Sequence, residues 1–415
     1  MTGTIAARRG PRIPSRRVLV ALLLGIIPLS QLPIDIYTPA IPAMVDELGT
    51  STTLVQNTVS AYVLGMSFGL IPVGVIADAR GRRPTLLACL ALLAITSIGI
   101  AFTDDIAVLL ALRFVQGLGG CACMVLVYAI AADTTRGAPL TALSGWLGAS
   151  WGLAPVLAPA VGGVLVDHVS WRGIFVLVAL LAVAALVVVW RLLPETLDPA
   201  NAQPIVPRAI LRVLGTTLRR RLFVGLTLVF AVFASAQLLF GVVAPLLYEN
   251  GLGLSSTAYG AIALVIGAAN LGGELATGAF ATRLSPRMLG LAALASFVAG
   301  TAVLLVSGLT VGLDLLLLTI GGMLVMLGCG ALCPLAYGLA LNLFDRNLGL
   351  VGGLTSAVCY LVVAVTMGAA ATLPDTDQIP IATVYVACAL VGGVLLILCT
   401  RARPGIRTPE TTLTA

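Results

Sequence analysis

The sequence predicts an all-α membrane protein: twelve transmembrane helices in two pseudo-repeated six-helix bundles. Three observations predict it. Hydrophobic residues make up 59% of the 415 and charged residues only 10%, far from the roughly 25% charged that coats a soluble domain. Apolar runs near the length of about 20 residues that crosses a bilayer as a helix recur at 18–43, 54–77, 85–103, 106–132, 140–166, 171–193, 222–248, 257–282, 288–308, 312–341, 350–373 and 379–400. The series is broken once, after the sixth run, by a long stretch that is Pro-rich and then basic. Short loops on either side of that break echo one another: "DTTRG" (133–137) before "SGWLGASWG", and "DRNLG" (345–349) before "LVGGLTSA". Six-helix units related by repetition, with a site at the midplane between them, are the plan of alternating-access transporters.

The elements follow in order. Residues 1–17 form a basic tail, and although "RRGPRIPSRR" before an apolar run imitates a signal peptide, no small-residue cleavage site follows, so the tail is expected in the mature chain. Residues 18–193 form the first bundle. Residues 194–221 form a linker with an expected amphipathic helix at about 207–219. Residues 222–400 form the second bundle, and 401–415 a second tail. The net charge of +6 reports topology rather than nucleic-acid binding. All the basic residues are Arg, and they concentrate in the tails, the linker and alternate loops, whereas the opposite loops hold Arg172 alone with Asp46, Glu47, Asp104, Asp105, Asp167, Glu249, Asp314, Asp375 and Asp377. By the positive-inside rule both termini are cytoplasmic. The eight cysteines fall within expected helices as small packing residues, and His168, the single histidine, lies in an outer loop, so no metal site is expected. The expected partners are the bilayer, protons and a small molecule, in a monomer without cofactor.

Three ionisable side chains stand deep in the apolar runs: Asp35, Arg113 and Glu274. A charge at bilayer centre costs at least ~2.5–3.5 kcal/mol, so each should face a cavity or a partner. At 1.5 Å per residue, Asp35 and Arg113 both lie about 10–12 Å below the outer surface, where the two can meet. An Arg within reach holds a carboxylate ionised while dry burial neutralises it, and alternation between the two is what a proton carrier needs; a static ion pair is the structural alternative. Gln116, three residues on, can orient Arg113. Glu274 shares a helix face with Asn270, and Gln31 and Gln237 occupy similar depths in the first and seventh helices. These four are candidate substrate-binding residues; interhelical hydrogen bonding explains them equally well.

The loop "GVIADARGRRP" (74–84) places Asp78 at a helix end, Gly81 at a tight turn and Arg82 and Arg83 at the cytoplasmic face. It resembles the loop signature of the major facilitator superfamily, with Ala79 where that family's first Arg stands. The resemblance implies that Asp78 faces the start of the eleventh helix and that the arginines form a charge network closing the cytoplasmic side. In the fifth helix, "GASWGLAPVLAPAVGGVL" (148–165) is similar to the Gly/Pro-rich motif of drug/proton antiporters, with Ala158 in place of a common Gly. Gly148, Gly152, Gly162 and Gly163 remove bulk, and Pro155 and Pro159 remove backbone donors, so this helix can bend and pack tightly. With "DIYTPAIPAM", "LRFVQGLGGCAC" and "WRGIFVLVALL", the resemblance narrows to the Bcr/CflA-type multidrug and chloramphenicol exporters of the bacterial inner membrane. It implies that Asp35 is the proton-coupling acid and Arg113 the residue that influences it. A further acid found in some relatives is replaced by Ile27, which favours a neutral or zwitterionic drug over a strongly cationic one. The expected function is proton-coupled efflux of small amphipathic drugs. The alternatives are a nutrient transporter on the same fold, or a membrane enzyme or sensor; no nucleotide-binding loop or catalytic constellation is present.

Overall fold

The computed structural model describes residues 15–135, 138–197, 207–281, 283–344, 348–372 and 377–401. Most of the two tails, part of the linker, and residues of the echoing loops (136–137 and 345–347) lie outside the described residues. Among them, twelve helices are long and apolar enough to cross a membrane. Numbered in chain order, helices 1 to 6 are Arg16–Leu48, Thr52–Arg80, Arg82–Ala101, Ile106–Thr134, Ala138–His168 and Trp171–Leu192. Helices 7 to 12 are Arg221–Gly251, Ser256–Phe280, Pro286–Thr310, Leu315–Leu341, Leu348–Ala370 and Ile379–Arg401. The linker carries a further helix, Pro207–Leu218. Both Arg16 and Arg401 lie at one end of the bundle, the arginine-rich end; the opposite end is acid-rich.

Helix 1 reaches Leu48, beyond the end of its apolar run, because the ends are capped: Gly49 adopts the left-handed conformation (φ 57°) that stops a helix, and Ser51 Oγ accepts from Leu54 N to start helix 2. Within helix 1, prolines break the ladder into short pieces, Ile27–Ser30, Leu32–Asp35, Thr38–Ala40 and Ile41–Leu48. A proline frees the carbonyl four residues before it, and these carbonyls find side chains. Ser150 Oγ of helix 5 donates to Leu24 O (2.8 Å), four before Pro28, and Thr38 Oγ1 donates to Asp35 O (3.0 Å), four before Pro39. The breaks at Pro28 and Pro39 are therefore satisfied, and the first of these bonds ties helix 1 to helix 5.

The repeat that the sequence shows only in loops is written in the helix packing. In the first half, helices 2 and 4 touch backbone to backbone: a Cβ on Gly65 would fall 2.0 Å from Phe114 O, and one on Gly117 2.0 Å from Tyr62 O. Six helices later, helices 8 and 10 repeat the seam, where a Cβ on Gly273 would lie 2.3 Å from Leu327 O and one on Gly330 2.1 Å from Asn270 O. The halves meet along two seams that exchange under the same repetition, helix 2 on helix 11 and helix 5 on helix 8. Thr53 Oγ1 donates to Ala371 O (2.8 Å) and Ser67 Oγ to Ala357 O (2.7 Å) on the first seam. On the second, Asp167 at the end of helix 5 accepts from Thr257 N at the start of helix 8 (2.8 Å), and beside it Ser256 Oγ of helix 8 reaches Pro39 O of helix 1 (3.4 Å). The Ser67 bond lies at mid-depth, and the other three hold the halves together at the acid-rich end.

Because Gly117 and Gly330 are pressed against backbone, which cannot rotate aside, Gly117→Leu and Gly330→Leu are each expected to destabilise the protein by at least about 1–3 kcal/mol. Gly74→Ala is the control, since its Cβ would meet only Val125 at an ordinary 3.6 Å. Thermal unfolding of the purified protein in detergent measures the difference.

Candidate functional site

Asp35 closes the short helical piece Leu32–Asp35 between two of the proline breaks. Its carboxylate lies within hydrogen-bonding reach of the Gln31 side chain, one turn earlier. The second oxygen, Oδ2, is buried and has no hydrogen-bond partner. Tyr259 of helix 8 and Tyr360 of helix 11, both from the second half, lie within electrostatic range of the acid. Asp35 thus stands where the halves meet, with Gln31 within reach and Oδ2 unanswered.

Arg113 does not answer it. The guanidinium is fully buried, and its Nη1 donates to Pro33 O (3.0 Å) and Gln116 Oε1 (2.7 Å), its Nε to Thr58 O (3.3 Å). Its central carbon lies 4.5 Å from the Tyr37 ring and 4.8 Å from the Tyr62 ring, a cation–π cage that Phe175 completes at 5.7 Å. Gln116 passes the network on to Ser97 Oγ (2.8 Å). The depth inferred for Arg113 matches, since its contacts are to Pro33 and Tyr37, the residues flanking Asp35, but the expected ion pair is absent. Neutral acceptors and π faces take the place of a counter-charge, and Gln116 orients the group as its spacing suggests.

The polar residues of the second half form a separate pair. Asn270 Nδ2 donates to Glu274 Oε1 (3.1 Å), while Gln237, half-buried on helix 7, makes no hydrogen bond among the described residues and so joins neither pair. On helix 5 the Gly/Pro motif faces helix 8. A Cβ on Gly163 would fall 2.2 Å from Ser256 O, and one on Gly152 2.8 Å from Glu274 Oε2. Gly162 is pressed instead on helix 1, where a Cβ would stand 1.8 Å from Ile36 O, next to Asp35. The backbones at Pro155 and Pro159 receive Gly267 and Gly260 of helix 8 (3.4 and 3.0 Å from their would-be Cβ atoms), and helix 5 continues through both prolines. Gly148 is looser, with Tyr128 Oη 3.8 Å from its would-be Cβ. The tight packing expected of this helix is directed at the seam.

At the arginine-rich end the loop 78–84 is organised differently from what the resemblance implied. Arg82, the first residue of helix 3, pairs across the Gly81 turn with Asp78 at the end of helix 2, and its Nε donates to Asp133 Oδ2 (3.0 Å) at the end of helix 4. The partners of this network are all in the first half, so Asp78 is engaged by Arg82 rather than by helix 11. Glu195, just after helix 6, accepts from the backbone N–H groups of Arg82 (2.9 Å) and Arg83 (3.2 Å), which open helix 3 and would otherwise lack acceptors. Arg83 Nη2 donates to Trp190 O (2.7 Å). Gly81 is required twice over: its φ is 110°, and a Cβ there would lie 2.4 Å from Glu195 Oε2. Sequence reasoning missed Glu195 and Asp133; the signal for Glu195 is an acid in "PET" facing a helix start that offers free N–H groups. It also missed the acid-rich contacts, in which Arg172 pairs with Glu47 and Asp104, and Glu249 accepts from Ser256 Oγ (2.6 Å). A surface groove of about 640 Å³ near Phe102, Asp104 and Arg172 touches none of the candidate residues.

Two repeated helical bundles joined along two pseudo-symmetric seams, with polar residues where they meet, define a multi-pass membrane protein of the transporter type. The family model described as Major Facilitator Superfamily matches residues 23–367, and the chain belongs to that superfamily. A Bacillus subtilis (strain 168) MFS-type transporter, YdgK, is 27% identical over 392 residues, covering 94% of this chain and 97% of its own. A Pseudomonas aeruginosa chloramphenicol resistance protein is 34% identical over 169 residues, 40% of each chain, so the likeness to a protein named for drug resistance spans less than half its length. Among solved structures, a D-xylose-proton symporter superposes with a TM-score of 0.68 at 15% identity, over 92% of this chain and 96% of its own; it shares the fold.

Removing the Arg113 guanidinium would strand its acceptors, each worth about 1–3 kcal/mol when left unpartnered in a buried site. Arg113→Ala is therefore expected to unfold well below the wild type in detergent. Asp35→Asn should not reproduce that loss, because the two side chains are not paired; equal losses would indicate an ion pair after all. Gly81→Ala, strained at its φ and crowding Glu195, should lower the unfolding temperature, as should Glu195→Gln.

Proposed function

We propose that this chain exports small amphipathic drugs across the bacterial inner membrane in exchange for protons, with both termini cytoplasmic. The observation that carries the reading is Asp35: an interior carboxylate between the halves, with the Gln31 side chain within reach, Oδ2 buried and unpartnered, and no ion pair among the described residues. Such a group is stable there as a neutral acid and costly as an anion unless water or a partner reaches it. Any rearrangement that opens a water path changes its preferred protonation state, which is how proton binding becomes linked to conformation. Relatives named for chloramphenicol and bicyclomycin resistance support drugs as the cargo.

The cycle follows from the seams. With the acid-rich end tied by Asp167–Thr257 and Ser256–Pro39, Asp35 is shielded from that side, and a drug enters between the halves from the cytoplasm or the inner leaflet. Parting of the ties exposes Asp35 to the outside, where protonation accompanies drug release. Arg113, caged by Tyr37, Tyr62 and Phe175, acts on Asp35 by holding the Pro33 carbonyl and thereby the shape of the broken helix. In that role it positions the acid without neutralising it.

Drug-susceptibility profiling of a pump-deficient bacterium tests this. Cells expressing the wild type should tolerate raised chloramphenicol, and cells expressing Asp35→Asn at equal membrane levels should lose that tolerance. In everted vesicles, addition of drug to the wild type should dissipate an imposed proton gradient, and in the variant it should not. Full resistance with Asp35→Asn rejects proton coupling through this residue.

A further inference from the structure

The coupling scheme leaves a second interior carboxylate without a task. Glu274 lies on the line of helix 8 that carries Gly260 and Gly267 at seven-residue spacing, facing helix 5. Its Oε1 is held by Asn270 Nδ2 (3.1 Å), while Oε2 accepts no hydrogen bond and makes no ion pair among the described residues. It is not buried out of reach, for Glu274 is partly exposed. On helix 10, Cys333 lies within electrostatic range of Glu274, and Tyr337 follows one turn nearer the arginine-rich end. On helix 5, Gly148 stands one turn nearer the same end than Gly152, and Tyr128 Oη of helix 4 approaches it. Tyr128 and Tyr337, from opposite halves, lie within electrostatic range of each other, and both are partly exposed, so they face the space between the halves. Phe230 adds a ring 5.5 Å from Tyr337.

A carboxylate with an open oxygen, aromatic faces one turn away and no basic side chain paired to it is the chemistry that recognises an organic cation. We propose that Glu274, Tyr128 and Tyr337 form a recognition point for amphipathic cations between the halves. The proposal deepens the export reading above and rests on it. It also revises the substrate class expected from the sequence. Ile27 removes an acid from helix 1, but Glu274 supplies a negative charge from the other half, and Arg113, the one fully buried arginine among the described residues, is enclosed by its own cage and does not compete for it. When no cation is bound, the carboxyl is held by Asn270 alone; a bound ammonium or phosphonium centre provides the missing partner.

Binding of tetraphenylphosphonium and of chloramphenicol to the purified full-length protein tests the proposal without requiring transport. The wild type should bind tetraphenylphosphonium, and Glu274→Gln should weaken that binding at least tenfold more than it weakens chloramphenicol binding. Tyr337→Leu should also favour the neutral ligand, which keeps the test decisive if Glu274→Gln does not fold. No tetraphenylphosphonium binding by the wild type, or equal losses for the two ligands, overturns the recognition point. Failure of chloramphenicol export with intact, Glu274-dependent cation binding would count against the drug-export reading alone.

Discussion

An uncompensated carboxylate at the junction of two helical bundles is the constraint around which the rest is arranged. Asp35 can be tolerated in an apolar interior only if it is neutral, solvated or paired, and the nearby guanidinium is committed elsewhere. Arg113 commits Nη1 to Pro33 O and Gln116 Oε1 and Nε to Thr58 O, leaves the buried Nη2 without a hydrogen-bond partner, and lays its charge on tyrosine and phenylalanine faces. The acid is left to respond to whatever opens beside it. Helix 1 makes this arrangement by being broken, since the proline breaks give the short turns in which Asp35, Pro33 O and Tyr37 point to different neighbours.

In the proposed export cycle the molecule has to hold together while its halves part, and the glycine contacts divide those duties. Seams inside each half, helix 2 on 4 and helix 8 on 10, bring backbone against backbone with no room for a methyl group. Such contacts favour rigid bundles. Between the halves, helix 5 meets helix 8 just as closely near Gly163 and Ser256, but the polar ties are few: Thr257 to Asp167 and Gly163 O on helix 5, and Ser256 to Pro39 O on helix 1. Close packing with few strong bonds suits a surface that must separate and re-form, because dispersion is recovered on re-docking without leaving charges stranded.

The arginine-rich end shows how a loop signature is read by its neighbours. Asp78, Arg82 and Asp133 form a network confined to the first half, and Glu195 ties the start of the linker to the first turn of helix 3. In this conformation the network stiffens one bundle instead of bridging two. The same charges can serve a bridging role only if Asp78 exchanges Arg82 for a partner on helix 11, a competition between two arrangements of the kind that biases a two-state equilibrium.

Much of this was legible in the chain itself. Twelve apolar runs, the arginine bias of alternate loops and the linker fixed the architecture, because hydrophobic length and charge are additive along a sequence and require no knowledge of neighbours. The interior charges could be found the same way, as Asp35, Arg113 and Glu274 stand out against their surroundings. Their partners could not. Depth along a helix placed Arg113 at the level of Asp35, but whether its guanidinium meets a carboxylate, a carbonyl or a ring depends on rotation about the helix axis and on the breaks in helix 1. The packing of Glu195 against Gly81 and the meeting of Glu274 with helix 5 join residues far apart in the chain. Such contacts are settled by how rigid bundles dock, a property of three-dimensional packing that no local pattern of residues encodes.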